Sequence, residues 1–277
     1  KIGLVELPLA LMNPGDLLLL PDPGYPDYLS GVSLGRVAYE TFPLTAENDF
    51  LPDLDAIPEE TARRAKFIYI NYPNNPTGAV ATKAFYEKLV AWAKTYEVGV
   101  VSDLAYGALG YRGYENPSFL STPGAKDVGI EFYTFSKTFN MAGWRLAFAA
   151  GNDQMIEALN LIQDHLFVGI FPALQEAGIA ALLDPKSEEA VAQLNATYDS
   201  RRDAFVQAAA KIGWQAFPSR GSFYAWMPVP EGYTSESFAD LLLEKVHVAV
   251  APGKGFGPAG DAYVRIGLLV EPERLVE

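Results

Sequence analysis

Apolar residues in the first two-thirds of the chain are grouped into short runs that end at polar or turn residues. Five such runs span residues 16–21, 66–71, 98–103, 131–136 and 145–150. Uninterrupted apolar runs of this length are typical of strands that are buried on both faces, as in mostly parallel sheets. We therefore predict a strand in each run.

A different spacing marks residues 82–97, between the second and third runs. The large apolar residues of this segment recur every three or four positions, on one face of a helix: Phe85, Leu89, Trp92 and Tyr96. Thr82 is positioned to cap the start of this helix. The alternation of strand, helix and strand predicts an α/β domain.

Beyond residue 151 the pattern changes to longer helices that are followed by strands. Helices are predicted for residues 152–167, 172–183 and 187–213, and strands for residues 222–229, 248–252 and 263–269. This order predicts a second, smaller α+β domain. We place the boundary in a helical connection, which gives a large domain at 1–186 and a small domain at 187–277.

Composition and charge narrow the possible functions. The 277 residues are 49% hydrophobic, which suffices for one large or two modest domains. The formal net charge of −13 gives a surface that repels phosphate backbones, so we expect no nucleic acid partner. Cysteine is absent, and His165 and His247 are far apart in sequence, which argues against a Cys-rich or His-rich metal site.

The apolar N-terminal segment, residues 1–20, raises the question of a membrane span or a signal peptide. Charged residues and prolines interrupt it well short of the roughly 20 apolar residues that a span needs, and it lacks a small-residue cleavage site. We predict a helix from Ile2 to Met12 instead. The expected protein is soluble and cytoplasmic, without a membrane partner.

Polar residues directly follow four of the predicted strands, where ligands bind in open α/β sheets. They are Tyr25, Asn75, Asp103 with Tyr106, and Lys137. Each has an ordinary explanation by itself, such as a helix cap for Asp103, a turn for Asn75 and a surface position for Lys137. Together they match pyridoxal 5′-phosphate, whose aldehyde condenses with a lysine and whose ring nitrogen pairs with a carboxylate.

The segment SKTFNMAGWR, residues 136–145, places Arg145 eight positions after Lys137. Two explanations compete for this spacing: a loop with two solvated cations, or two charges that bind one ligand. The presence of Asp103 and Asn75 favours the shared ligand. Gly143 is then expected to allow a tight turn between the two cations.

Four motifs in order along the chain resemble the class I/II aminotransferases of the fold-type I pyridoxal-phosphate enzymes. They are YPNNPTG at 72–78, SDLAY at 102–106, SKTFNMAGWR at 136–145 and YVRIGLL at 263–269. The resemblance covers essentially the whole chain and is strongest to the branch with LL-diaminopimelate aminotransferases and a methionine-salvage transaminase. It implies a mostly parallel sheet flanked by helices and a smaller C-terminal α+β domain. It also implies a homodimeric enzyme that acts in amino acid metabolism.

The resemblance also implies roles for the residues that surround the cofactor ring. Lys137 would form the Schiff base with pyridoxal phosphate and move the substrate proton. Asp103 would pair with the ring nitrogen, and Asn75 and Tyr106 would bond the ring oxygen. Tyr25 would stack on the ring.

The remaining site residues would hold anionic groups. By the same resemblance, Thr134, Ser136 and Arg145 would bind the cofactor phosphate. Arg265, with Asn75, would bind the α-carboxylate of the substrate, and the bond before Pro76 would be cis. The activity implied is a ping-pong transfer of an amino group between an L-amino acid and a 2-oxo acid.

Two departures from the family bear on the substrate and on the extent of the chain. Diaminopimelate enzymes tend to carry FNG where this chain has FVG at 167–169, and Val168 cannot hydrogen-bond a distal charged group. We therefore expect a substrate with a neutral or sulfur-containing side chain. Complete members begin earlier, with a Gly–Ser or similar pair before Lys1 that helps to hold the phosphate, so we interpret the chain as a fragment that holds pyridoxal phosphate weakly when alone.

Two other functional classes remain compatible with these motifs. A pyridoxal-phosphate C–S lyase needs the same Lys137 and Asp103, so these residues do not separate it from an aminotransferase. The second alternative is a non-catalytic, cofactor-binding domain of a regulator, which nothing in the acidic sequence supports.

Overall fold

A six-stranded sheet forms the centre of the computed structural model, which describes all residues from 1 to 277. Its strand order is β2-β1-β3-β4-β5-β6. The first five strands are parallel, and β6 pairs antiparallel with β5. The bounds are β1 Leu17–Asp22, β2 Ala38–Pro43, β3 Ala65–Ile70, β4 Gly99–Asp103, β5 Gly129–Thr134 and β6 Ala147–Gly151.

A separate antiparallel sheet of three short strands follows near the C-terminus. Its order is β7-β9-β8, with β7 at Tyr224–Pro228, β8 at Ala251–Pro252 and β9 at Tyr263–Gly267. The register pairs Trp226 with Arg265, which fixes the position of Arg265 on the central strand of this sheet.

Eleven helices pack against the two sheets or connect their strands. They are α1 Ile2–Leu11, α2 Tyr28–Gly35, α3 Glu59–Arg64, α4 Lys83–Tyr96, α5 Ala125–Val128, α6 Phe135–Thr138, α7 Asp153–Leu166, α8 Pro172–Leu183, α9 Ser187–Lys211, α10 Ser235–Val246 and α11 Pro272–Leu275. None of them is long and apolar enough to cross a membrane.

The helix α4 forms where its apolar spacing predicts it. Thr82 accepts a hydrogen bond from the Phe85 amide at 3.1 Å and so caps the first turn. Leu89 is fully buried against the sheet. The long helix α9 also matches its prediction, and Gly213 follows its end with a positive φ of 77°.

The predicted α/β fold with a mostly parallel sheet is confirmed, but two of the predicted strands differ in detail. The strand predicted at 131–136 is β5, which ends at Thr134, because Phe135 begins the short helix α6. The run at 145–150 is wrong as a strand buried on both faces: β6 is an antiparallel edge strand, and most of its side chains are exposed. The division at residue 186 remains a prediction.

The sequence analysis missed several elements, among them the short helices α2, α3 and α5, the strand β2 and the helix α10. The edge strand β2 has a mostly exposed, mixed sequence, AYETFP, which lacks the apolar run of the inner strands. Helix α10 begins at a capping box in which Thr234 and Ser237 bond each other's backbone amides. That T-x-x-S signal was present in the sequence.

The core lies on both faces of the large sheet, because the side chains of its inner strands alternate between the two faces. One face packs on α4, and Ile68 and Val100 are fully buried there. The other face packs on α1 and α7, where Leu18 and Val101 are fully buried. Since β1, β3, β4 and β5 run parallel, their carboxyl ends meet at one edge of the sheet.

Candidate active site

A cavity of about 410 Å³ opens at the carboxyl edge of the large sheet and reaches the small sheet. Its lining contains every site residue that the sequence analysis singled out: Tyr25, Asn75, Asp103, Tyr106, Thr134, Ser136, Lys137, Arg145 and Arg265. The carboxyl edge of the large sheet and the strand β9 of the small sheet therefore bring together residues that are up to 240 positions apart, from 25 to 265.

Asp103 ends β4 and turns its carboxylate into this cavity. The hydroxyl of Tyr28 donates to Asp103 Oδ2 at 2.9 Å. The side-chain amide of Asn71 donates to the backbone oxygen of Asp103 at 2.7 Å and fixes this strand end. Burial raises the pKa of the Asp103 carboxyl, and the Tyr28 hydrogen bond opposes that rise. No side chain forms a salt bridge with Asp103, and its carboxylate lines the cavity.

Asn75 connects the end of β3 with the small sheet. Asn71 Oδ1 accepts from the Asn75 amide at 2.8 Å, and Asn75 Oδ1 accepts from Arg265 Nη1 at 2.6 Å. The bond between Asn75 and Pro76 is cis, as expected. The hydrogen bond from Arg265, which is on β9, therefore holds its guanidinium against the edge of the large sheet.

The Arg265 guanidinium also contacts two aromatic rings. Its Cζ atom is 4.1 Å from the ring centroid of Tyr224 and 4.6 Å from that of Phe256. The buried Nε of Arg265 has no hydrogen-bond partner. Such an orphaned donor beside a cavity is suited to an incoming carboxylate.

Tyr106 lies on the turn after β4 and is almost fully buried. Its hydroxyl is 3.2 Å from the hydroxyl of Tyr224. Burial, followed by the neighbouring Tyr224, raises the pKa of Tyr106 well above its usual value. Tyr106 is therefore a neutral phenol at physiological pH and can donate a hydrogen bond.

Lys137 is on the short helix α6, directly after β5. Its Nζ atom is 5.9 Å from the ring centroid of Tyr106 and 5.3 Å from that of Phe223. Burial lowers the pKa of Lys137, and the positive charges of Arg265 and Arg145 lower it further. A larger fraction of this amine is therefore uncharged and nucleophilic than for a surface lysine.

Hydroxyl groups and a guanidinium gather at the end of β5. Thr134 Oγ1 donates to Ser136 Oγ at 2.9 Å and accepts from the Ser136 amide at 3.2 Å. Arg145 is exposed, and its Nη1 donates to the Ala142 backbone oxygen at 2.6 Å. Two hydroxyls and one guanidinium form a donor set for a phosphate.

The expectation for Gly143 was wrong. Gly143 lies in a 3₁₀ turn at Ala142–Trp144, and a side chain would meet open space there. The left-handed backbone positions of this segment are Asn140, with φ of 53°, and Arg145, with φ of 54°. Positive φ in a non-glycine residue is uncommon, although asparagine tolerates it better than most residues.

Pyridoxal phosphate fits this donor set. Asp103 offers a buried carboxylate without a cationic side chain, and Lys137 offers an amine with a lowered pKa. Arg145 and its neighbouring hydroxyls offer phosphate donors, and Arg265 keeps an unpaired donor for a carboxylate. The same cavity holds all these groups.

Three residues of this site were missed by the sequence analysis. Tyr28 lies three positions after Tyr25, a spacing that was available as a signal, and the centroids of the two rings are 5.5 Å apart. Asn71 was noted only as the end of a strand. Tyr224 was hidden in an apolar strand, and no local pattern distinguishes it from a packing tyrosine.

Val168, which motivated the expectation about the substrate, does not line the cavity. It is 87% exposed, with a positive φ of 63°, in the turn between α7 and α8. The FVG motif therefore gives no contact with a substrate within this chain.

Comparisons with known proteins agree with the fold and the site. A family sequence model described as "Aminotransferase class I and II" matches residues 3–276. The chain is 57% identical, over all 277 residues, to an L-glutamine–4-(methylsulfanyl)-2-oxobutanoate aminotransferase of Bacillus subtilis strain 168 and covers 69% of it. It is 48% identical to an LL-diaminopimelate aminotransferase of Moorella thermoacetica, also over 277 residues, and covers 70% of that protein.

Solved structures show the same similarity. A substrate-bound BacF structure from Bacillus subtilis matches with a TM-score of 0.94 and 46% identity, covering 99% of this chain and 69% of BacF. An aminotransferase from Staphylococcus aureus matches with a TM-score of 0.95 and 41% identity, covering 99% and 72%. The chain therefore belongs to the class I and II aminotransferases, and it is a pyridoxal-phosphate-dependent transaminase.

Proposed function

We propose that this transaminase acts on an amino acid and a 2-oxo acid with a neutral, sulfur-containing side chain, such as 4-(methylsulfanyl)-2-oxobutanoate. One observation carries this substrate class: among the 20 residues that line the cavity, Asp103 is the only acidic one. A distal ammonium group, as in LL-diaminopimelate, would have no carboxylate of its own there. The name of the 57% identical relative supports the same choice.

In this proposal, Arg265 binds the α-carboxylate of the substrate. Its contacts with the rings of Tyr224 and Phe256 restrict the guanidinium, and its Nε is available as a donor. Asn75, which already accepts from Arg265, completes the carboxylate site from the large sheet. Fixing the carboxylate orients the bond between Cα and its hydrogen, which is a positional contribution to the rate.

Lys137 moves the proton. When bound, pyridoxal phosphate supplies an aldehyde that condenses with the amino acid and a ring that withdraws electrons from it. The Lys137 amine would take the proton from the substrate Cα and return it to the carbon that the aldehyde supplies, on the other side of the amino nitrogen. Its lowered pKa, caused by burial and by Arg265 and Arg145, favours the uncharged base.

The other residues bind and orient the cofactor. Asp103 would hold a proton on the ring nitrogen, and the Tyr28 hydrogen bond restrains this carboxylate. Tyr106 and Asn75 would bond the ring oxygen, and Tyr25 would stack on the ring. Thr134, Ser136 and Arg145, near the end of β5, would bind the phosphate.

We also propose that the protein is a homodimer. Apolar side chains cluster in exposed positions on α7, on α8 and between them, including Leu166 at 60%, Phe171 at 69% and Leu183 at 75% exposure. An apolar patch of this kind favours burial against another subunit. The mass of the protein in solution tests this point, and a monomer at micromolar concentration would contradict it.

The substrate proposal is tested by comparing amino acceptors and donors with the same preparation. We expect kcat/KM for 4-(methylsulfanyl)-2-oxobutanoate with L-glutamine to exceed that for LL-diaminopimelate with 2-oxoglutarate by about a hundredfold or more. A preference for LL-diaminopimelate would overturn the substrate class. Release of ammonia or a thiol without a 2-oxo acid acceptor would instead show a lyase. Lys137→Ala provides the inactive control.

A further inference from the structure

Tyr224 contacts both Tyr106, on the cofactor side of the site, and Arg265, on the substrate side. No sequence motif identified it. It lies on β7, is 8% exposed and contacts groups from both sheets. Its hydroxyl is 3.2 Å from the Tyr106 hydroxyl, and its ring is 4.1 Å from the Arg265 guanidinium carbon. One side chain therefore touches a group assigned to the cofactor and a group assigned to the substrate.

The backbone around Tyr224 fixes this position from two directions. The register of the small sheet pairs Tyr224 with Gly267, on the strand that carries Arg265. Just before β7, the Ser222 amide donates to the Leu109 oxygen at 3.2 Å, so this segment is tied to the loop that carries Tyr106. Tyr224 is thus placed by the same backbone that places its two partners.

The direction of the hydrogen bond between the two hydroxyls follows from the proposed role of Tyr106. Each phenol has one proton to donate. If Tyr106 gives its proton to the ring oxygen of the cofactor, Tyr224 must be the donor between the two tyrosines. Donation from Tyr224 polarises the Tyr106 hydroxyl and makes it a stronger donor to the ring oxygen.

The ring of Tyr224 acts on Arg265 in a different way. A guanidinium over an aromatic face is attracted by the ring quadrupole and loses rotational freedom. Phe256 makes a second contact of this kind, with its ring centroid 4.6 Å from the guanidinium carbon, so two rings restrict the guanidinium. In this orientation, Nη1 donates to Asn75, and Nε remains unpaired.

We propose that Tyr224 is a positioning residue with two separable functions: its hydroxyl strengthens the hydrogen bond from Tyr106 to the cofactor, and its ring orients Arg265 for the substrate carboxylate. This inference rests on the roles proposed above for Tyr106 and Arg265. Removing the hydroxyl should affect the cofactor alone, and removing the ring should also affect carboxylate binding.

The first experiment measures the pH midpoint of the absorbance of the bound cofactor in holoenzyme. In Tyr224→Phe, the ring oxygen receives a weaker hydrogen bond, so its affinity for a proton and hence the midpoint should rise, by about half a pH unit or more. In a Tyr106→Phe background, Tyr224→Phe should add no further shift, because the effect passes through Tyr106. Tyr233→Phe, an exposed tyrosine of the small domain, is the matched control and should leave the midpoint unchanged.

The second experiment measures the Kd of butanoate, an unreactive monocarboxylate, by calorimetry with both the holoenzyme and the cofactor-free protein. Tyr224→Leu should weaken butanoate binding by about threefold or more, since the cation–ring contact is lost. Tyr224→Phe keeps the ring, so its Kd should stay within about twofold of wild type. Far-UV circular dichroism at the assay temperature confirms that each variant is folded.

The outcomes separate this inference from the proposed function. An unchanged midpoint in Tyr224→Phe, or an equal shift in the Tyr106→Phe background, overturns the role of the hydroxyl. An unchanged butanoate Kd in Tyr224→Leu overturns the role of the ring. If wild type showed no pH-dependent cofactor absorbance, the role of Tyr106 would fail instead, and butanoate binding to the cofactor-free protein would still decide whether Tyr224 orients Arg265.

Discussion

Two buried carboxylates lie on neighbouring strands, Asp103 on β4 and Glu131 on β5, but they differ in their hydrogen bonds and in the roles that we assign to them. Burial raises the pKa of both groups. Their strands are paired, but the partner of Glu131 across the ladder is Ser102, one position before Asp103. Because successive side chains point to opposite faces of a sheet, the two carboxylates are directed away from each other.

The difference lies in how each carboxylate is satisfied. Glu131 accepts from Ser102 Oγ at 2.9 Å, from Ser118 Oγ at 2.5 Å and from the Phe119 amide at 2.9 Å, so the protein itself saturates it. Asp103 has one side-chain donor, Tyr28, and faces the cavity. A saturated carboxylate stabilises the fold, whereas an unsaturated carboxylate at a cavity is available to a ligand.

The largest effect expected from this comparison is on chemistry at Asp103. Asp103→Asn removes the negative charge but can keep the hydrogen bond from Tyr28. We expect kcat to fall by at least about a hundredfold, because the cofactor ring loses the charge that keeps it protonated. The midpoint of thermal unfolding should change by less than about 4 °C. A variant with kcat within a few-fold of wild type would show that Asp103 has only a structural role at the end of β4.

Glu131→Ala should have the reverse profile. Three donors lose their acceptor inside the protein, so the free energy of unfolding should fall by about 3 kcal/mol, measured in urea. At temperatures well below unfolding, kcat should stay within about threefold of wild type.

The matched control for Glu131→Ala is Glu59→Ala, which removes an exposed carboxylate that is paired only with Arg63. Its effect should be within about 0.5 kcal/mol. If Glu131→Ala cost no more than this control, the hydrogen bonds around Glu131 would not be a source of stability.

Removing the one side-chain donor to Asp103 should have a smaller effect on chemistry. Tyr28→Phe deletes the 2.9 Å hydrogen bond, which leaves the carboxylate less restrained and its pKa higher. We expect kcat to fall by about three- to tenfold.

Tyr69→Phe serves as the comparison for Tyr28→Phe, because the Tyr69 hydroxyl is also buried but donates to the Leu4 backbone oxygen. It should lower stability and leave kcat unchanged. Equal losses of kcat in the two variants would argue that buried hydroxyls in general, and not the contact with Asp103, matter for the rate.

The smallest expected effect is a pH dependence of stability at Glu131. Burial raises the pKa of Glu131 in the folded state above its ordinary value. Between these two pKa values the folded state binds more protons than the unfolded state, so this group makes the protein less stable as pH rises. Relative to Glu131→Gln, wild type should therefore lose stability as the pH rises above about 4, the ordinary range of a glutamate. A difference that stayed constant or grew with pH would contradict the assignment.

The comparison also shows what the sequence could predict. Asp103 was identifiable because it ends an apolar run and because it occurs in SDLAY, between motifs in a known order. Glu131 begins the predicted run at 131–136, and nothing in the sequence shows whether its partners are protein donors or a ligand. Those partners, such as Ser118, lie on another loop, so only the folded chain identifies them.

The residues that sequence reasoning missed depend on contacts between distant segments. Tyr28 reaches Asp103 across 75 positions, and Tyr224 reaches Tyr106 across 118. Local patterns report helices, strands and turns, whereas these pairings depend on strand order and on the approach of the small sheet. For the same reason, Val168 was given a role in substrate choice that its position outside the cavity does not support.

The central claim is that Lys137 is the residue that reacts with pyridoxal phosphate. The most direct test is to saturate the protein with the cofactor, reduce it with borohydride and locate the added mass by peptide mass spectrometry. We predict one modified site, at Lys137, that disappears in Lys137→Ala together with transamination and is unaffected in Lys126→Ala, an exposed lysine on α5. Stoichiometric modification at another lysine, or a Lys137→Ala variant that still transaminates, would contradict the account.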